Sequence, residues 1–292
     1  MKLGQLFSQK ACVFSIEVFP PKKNGGDPAA LYPALEEMAR LSPDYISVTY
    51  GAGGGAAGAS TAQIASHLKN ELGIEPLAHL TCINSGRREV AQALSNLAAE
   101  GVENVLALRG DRVPGAQPPD AYPHASDLVR AIRASGDFYV AGACYPEGHA
   151  ECASLAEDVE HLKEKADAGV GHLMTQLFFD NARFYRFMNL LRKKGVALPV
   201  QAGVMPVVSA RQIERTVALS SASLPPEFTK MISRWDGDEA SMFDAGVDYA
   251  VRQLRDLIEG GVDGVHLYAM NRPQVARLVW EGIRDLLEAP PC

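Results

Sequence analysis

The chain has 292 residues, 47% hydrophobic and 22% charged, with a formal net charge of −7; this suits a soluble enzyme with a large core. The acidic balance and the lack of any basic run interleaved with aromatics exclude broad nucleic-acid binding, and no stretch of about 18 apolar residues exists to span a membrane. Five scattered cysteines (Cys12, Cys82, Cys144, Cys152 and Cys292) form no CxxC pair, which argues against a disulfide framework or a structural zinc site and, with no signal-peptide h-region, fits a reducing cytoplasm.

In chain order, short apolar runs predict strands near 12–19, 45–50, 75–83, 104–109, 139–146, 172–179, 199–205 and 264–270. Nearly continuous apolar runs are the pattern of parallel strands covered on both faces. Helical periodicity follows near 28–41, 60–73, 86–100, 126–135, 154–168, 181–194, 209–221 and 273–287. Ser60 with Gln63 reads as a capping box, and Ser126-Asp127 as a second N-cap. Gly73, Gly101, Gly136, Gly169, Gly195 and Gly261 stand where helices stop, a position that favours left-handed backbone. The stretch 222–262 is longer than one crossover needs and predicts an extra helix, Pro225–Trp235, before a long one, Glu239–Glu259. Eight such units without a linker predict an α/β fold, a (β/α)8 TIM barrel with extra helices before the last strand, as one catalytic domain over 1–292.

In such a barrel the strand C-termini share one face, which carries the chemistry. Glu17 lies among Val, Phe and Ile just before Pro20-Pro21. A carboxylate there is costly unless paired or protonated, and desolvation would raise its pKa toward that of a general acid; the alternative is a structural carboxylate bonded across the barrel. Arg109-Gly110-Asp111 ends the fourth strand, either as a turn that holds a polar ligand or as a surface ion pair. His79, Tyr145, His149 and Gln176 also fall at strand ends. Lys163 and Lys165, beside Asp158, read as a solvated helix face. Gly53-Gly54-Gly55-Ala56-Ala57-Gly58 formally matches GxGxxG but follows the second strand, so a loop over the barrel mouth competes with a dinucleotide fingerprint. No lysine ends a strand, no His/Asp/Glu set has ligand spacing, and no Gly-x-Ser-x-Gly elbow occurs; a Schiff-base aldolase, a metal hydrolase and a serine hydrolase are disfavoured.

Seven blocks occur in order: Phe14-Ser-Ile-Glu17-Val-Phe-Pro-Pro21, Ser47-Val-Thr49-Tyr-Gly51, His79-Leu-Thr-Cys-Ile83, Leu108-Arg-Gly-Asp111, Tyr145-Pro-Glu-Gly-His149, Thr175-Gln-Leu-Phe-Phe-Asp180 and Asn271-Arg272. Together they resemble the bacterial 5,10-methylenetetrahydrofolate reductases, from about residue 12 to 285. The resemblance implies a flavin barrel with FAD at the strand C-termini and NADH or NADPH as electron donor. It implies Glu17 as general acid, Asp111 beside flavin and pterin, and Gln176, Gln212 and Arg272 on the folate. Thr49, Tyr50, His79, Arg109, Gly110, Asp111, Ala125, Tyr145, His149, Asp158 and Lys165 match flavin-contacting positions. A homo-oligomer is also implied, and a partner protein as electron donor is open. Two departures stand out: the family pattern has Asn and Arg where this chain has His161 and Glu164, and an aromatic where it has Thr216. The implied reaction is ping-pong hydride transfer from NAD(P)H through FAD to 5,10-methylenetetrahydrofolate, giving 5-methyltetrahydrofolate. The alternatives are a non-catalytic folate- or flavin-binding subunit and a different barrel lyase.

Overall fold

The computed structural model describes the chain except residues 22–25, 51–54, 113–118, 120, 210–211, 214–215, 217–219, 221 and 289–292, and the side chains of 55–58. Most of the GxGxxG-like stretch therefore lies outside the described residues.

Eight strands form where the apolar runs are: β1 Val13–Val18, β2 Tyr45–Val48, β3 Pro76–Thr81, β4 Asn104–Leu108, β5 Tyr139–Cys144, β6 His172–Thr175, β7 Val200–Val204 and β8 Gly264–Leu267. Each pairs in parallel with the next, and β8 returns to β1 through Val13↔Gly264 and Ser15↔His266, closing the barrel. Strand alternation splits the side chains into two layers. Phe14, Ile16, Val18, Ile46, Val48, Ala78, Leu80, Val105 and Ala107 face the helices in the large outer core. Val13, Tyr45, Leu77, Leu106, Ala141 and Met174 fill the barrel itself.

The helices are α1 Leu6–Gln9, α2 Tyr32–Ala39, α3 Gly55–Asn70, α4 Arg87–Ala99, α5 Ala125–Ser135, α6 Leu155–Asp167 and α7 Asn181–Lys193, then Pro226–Arg234, Glu239–Glu259 and Pro273–Leu287. The two helices expected before the last strand are both present. Within the 209–221 stretch, Gln212, Ile213, Thr216 and Ser220 are helical. Among the described residues no helix is long and apolar enough to cross a membrane.

Three local expectations are corrected. Ser60 does not cap a helix, because α3 already begins at Gly55. The N-cap of α5 is His124, with Asp127 at the third position accepting from the His124 N–H at 3.1 Å; the carboxylate serves the cap from inside the helix. Gly136 has φ 168° and is extended, whereas Gly73, Gly101, Gly169, Gly195 and Gly261 are left-handed at 68°, 72°, 110°, 80° and 77°.

An unforeseen element closes the N-terminal mouth. A 3-10 turn, Leu3–Gln5, runs into α1 and places Leu3 and Leu6 in the barrel-filling cluster. The Leu3 N–H donates to Asn104 Oδ1 at 2.9 Å, and the Met1 ammonium meets Glu75 and Glu103 at 2.5 and 2.8 Å. Burying each leucine contributes about 1.5–3 kcal/mol.

Candidate active site

Position along β1 determines what Glu17 touches. Val13, Ser15 and Glu17 share the inward face, so Glu17 rises at the C-terminal mouth above a polar column. Its Oε2 lies 3.7 Å from His79 Nε2 on β3 and 3.6 Å from His266 Nε2 on β8. Both distances exceed hydrogen-bond range. The carboxylate, 18% exposed, is flanked by imidazoles without being consumed by them. Burial pushes His79 down to about 4, with the Glu17 charge pulling the other way; at neutral pH this ring is uncharged.

Below Glu17 the column orders itself. Tyr45 OH donates to Gln201 Oε1, Gln201 Nε2 donates to Ser15 Oγ at 3.1 Å, and Ser15 Oγ meets His266 Nδ1 at 2.7 Å. His266 Nε2 faces Glu17 and also lies 3.5 Å from Ser47 Oγ.

A second set of groups lies on the loops after β4 and β5. Gly110, at φ 79°, makes the turn after β4; a Cβ there would stand 3.0 Å from Thr81 Cβ. Arg109 grips Glu151 with both terminal nitrogens at 2.6 Å, while its buried Nε has no partner. This fork-on-fork pair holds Glu151 down to about 2. Asp111 is exposed, with its backbone carbonyl accepting from Asn84 Nδ2 at 2.7 Å. Its charge acts on both Arg109 and Tyr145. Tyr145 packs edge-on to His149 at 4.8 Å, and burial pushes its phenol up to about 12.

Asp158 is buried on α6, with Oδ2 accepting from the His149 N–H at 3.1 Å. Burial raises its pKa and the Lys165 charge opposes that. Lys165 does not lie on a solvated face as its spacing suggested. It is partly buried and donates to the Ala143 carbonyl at 2.9 Å, and burial lowers its pKa; Lys163 is the exposed one. The helix packs onto β5, and that contact selects one lysine.

The remaining site residues stand at the same mouth or just behind it. Thr49 and Tyr50 follow β2, where the Thr49 N–H donates to Val18 O at 2.9 Å and burial raises the Tyr50 phenol. Gln176 follows β6 and accepts the Leu177 N–H at 2.9 Å through its own Oε1, leaving its amide NH2 free of that bond. Ala125 is buried as the first residue of α5. Two residues are turned to local partners: Gln212 bonds Val208 N and Pro206 O, each at 3.2 Å, and Arg272 lies over the Phe243 ring at 5.5 Å. Thr216 is buried.

Residues 2–283 match the family described as methylenetetrahydrofolate reductase. The chain belongs to this family. It is 31% identical over 262 residues to the 5,10-methylenetetrahydrofolate reductases of Pectobacterium carotovorum subsp. carotovorum and Escherichia coli (strain K12), covering 90% of this chain and 87% of each relative. It is also 31% identical over 285 residues to methylenetetrahydrofolate reductase (NADH) 1 of Arabidopsis thaliana, of which it spans 48%. Among solved structures, a Clostridium thermocellum protein that binds two copies of 5-methyl-5,6,7,8-tetrahydrofolic acid shares the fold, with a TM-score of 0.65 and 14% identity over 97% of this chain and 98% of that one.

For a methylenetetrahydrofolate reductase family member, sequence reasoning overlooked Ser15, His266 and Glu151. Ser15 lies two residues before Glu17, on the same strand face, and His266 two before Tyr268; period-2 alternation could have placed both at the mouth. Glu151 carries no local signal, since its partner Arg109 is 42 residues away.

Proposed function

We propose that this chain reduces 5,10-methylenetetrahydrofolate to 5-methyltetrahydrofolate, using FAD and NADH or NADPH, with Glu17 as general acid. The observation that carries the reading is Glu17 at the barrel mouth, within 3.7 Å of both His79 and His266 and bonded to neither. Family membership supports the substrate, and the relatives named for NADH support a nicotinamide donor.

The residues present fit a flavin. His79 Nε2 and Arg109 Nε are buried and without hydrogen-bond partners, a costly state that a ligand's acceptors would relieve. FAD, when bound, supplies hydride relay from the nicotinamide to the folate's methylene carbon. Thr49, Tyr50, His79, Arg109, Gly110, Ala125, Tyr145, His149, Asp158 and Lys165 would hold it. Opening the folate's five-membered ring needs a proton on the departing amine, and Glu17 delivers it from the mouth. His266, held through Nδ1 by Ser15, faces the Glu17 carboxylate and can stabilise it once that proton has left. The Asp111 carboxylate attracts the cationic iminium of the opened ring and disfavours further negative charge nearby. Gln176, Gln212 and Arg272 would bind the folate; for Gln212 and Arg272 this means exchanging the local partners they now hold.

A visible spectrum of the purified protein, followed by anaerobic mixing with NADH or NADPH and then with methylenetetrahydrofolate, tests the reading. Bleaching by the nicotinamide and recovery by the folate are expected. Colourless protein that takes up no FAD, or colour that the folate does not restore, overturns it.

A further inference from the structure

Outside the Glu17 cluster, the loop after β5 and the start of α6 bring three ligand-type side chains together. Asp158 and His161 are three residues apart on α6 and so share one face of the helix. Cys152, in the preceding loop, folds back over that face: its Sγ lies 3.6 Å from His161 Nδ1 and 3.9 Å from Asp158 Oδ1. The three ligand atoms all fall within 4.8 Å of one another. A tetrahedral ion with sulfur at about 2.3 Å and nitrogen or oxygen at about 2.0–2.1 Å has ligand–ligand edges of roughly 3.5 Å. The two sulfur edges here are already close to that length.

The surroundings hold the ligands in place. The second Asp158 oxygen accepts the His149 N–H at 3.1 Å, which turns Oδ1 toward Cys152, as outer partners of metal ligands do. Ser154 caps α6 by accepting from the Glu157 N–H at 3.2 Å, fixing the helix start between Cys152 and Asp158. The Cys152 S–H donates to Asp158 Oδ1, so an incoming cation would displace that proton. A thiolate with an imidazole selects zinc-class ions over magnesium or calcium.

We propose that Cys152, Asp158 and His161 bind a divalent transition-metal ion of the zinc class, with a fourth position open to water or an external ligand. This revises the expectation that the chain has no metal site, which rested on the absence of a CxxC pair and of a His/Asp/Glu set with ligand spacing. The ligands are split between a loop and a helix face, and only the fold brings them together. Asp158 also stands at a position assigned above to the flavin, so ion and cofactor would share a carboxylate; that coupling rests on the proposed function, whereas the metal site does not.

The test is titration of the purified full chain with Co2+ in a non-chelating buffer with a phosphine reductant, read by thiolate charge-transfer absorbance and by tetrahedral d–d bands at wavelengths beyond flavin absorption. Competition with Zn2+ follows. One equivalent of Co2+ per chain with those bands, displaced by Zn2+, is expected. Cys152→Ser should abolish the charge-transfer band, and His161→Asn should weaken binding about tenfold or more. His161 is exposed, so far-UV circular dichroism and thermal melting of that variant should match the parent. No saturable binding, or binding unchanged in both variants, overturns the proposal. A colourless protein that binds the ion sinks the flavin reading and leaves the metal site standing.

Discussion

The two mouths of the barrel are built from the same eight strands, and their polar groups are used in opposite ways. At the N-terminal mouth polar groups are mostly consumed: Met1 by Glu75 and Glu103, Asn104 by Leu3, Tyr45 by Gln201 and Tyr139 by His172 at 3.0 Å. Among the described residues, His172 Nε2 is the buried atom left without a partner there. At the C-terminal mouth Glu17 stands unbonded between two imidazoles, and His79 Nε2 and Arg109 Nε have no partner. Unsatisfied buried groups destabilise a fold; one end of the barrel supplies stability, and the other holds groups poised for a ligand.

The largest expected break comes at the upper mouth. Glu17→Gln should leave bound flavin and its reduction by NAD(P)H intact while folate turnover falls about 10²–10⁴-fold; stopped-flow half-reactions separate the two. Turnover near the parent value removes the acid assignment.

At the lower mouth the same logic inverts. Leu3 is fully buried in the barrel-filling cluster, so Leu3→Ala should cost about 2–5 kcal/mol. Urea unfolding would show this as a lower midpoint, with kcat of the folded protein unchanged. A loss of kcat without a loss of stability would mean the two ends are not separable.

Acid sharpens the comparison, because each end holds a buried histidine that burial makes harder to protonate. Burial pushes His79 from 6.5 to about 4 and His172 from 6.5 to about 3. The unfolded chain therefore takes up protons that the folded chain refuses. Their contribution is fully present above pH 6.5 and is lost as pH falls toward 4 and 3. His172→Gln should flatten this limb of the curve of unfolding free energy against pH by a few kcal/mol without moving the pH profile of turnover. A limb as steep as the parent's would remove His172 from the account.

The smallest effect is expected at the rim. The Arg109–Glu151 pair is solvent-facing on the Glu151 side, which is 61% exposed, so Glu151→Gln should change stability by no more than about 1 kcal/mol. Because Glu151 occupies the guanidinium that would face the cofactor, FAD affinity measured by fluorescence quenching should rise several-fold. Weaker binding would mean that Glu151 orients Arg109 and does not compete for it.

Much of this molecule is local and was legible from the chain alone. Eight apolar runs, the helical stripes between them and the Gly-Val restarts specify the barrel's units, because period and backbone preference act over a few residues. Strand-end polarity likewise marked Glu17, His79, Arg109 and Asp111 as mouth residues. What the chain alone could not show depends on closure. The plug at Leu3 and Leu6 makes sense only against an open barrel end. The His266–Glu17 approach exists only because β8 pairs with β1 across 249 residues. The Arg109–Glu151 grip and the Cys152–Asp158–His161 trio arise where a loop folds back on a neighbouring element. Sequence by itself determined which units form and which residues end them. The tertiary structure alone decided which of those residues meet, because closing a ring of strands creates contacts with no local periodicity to announce them.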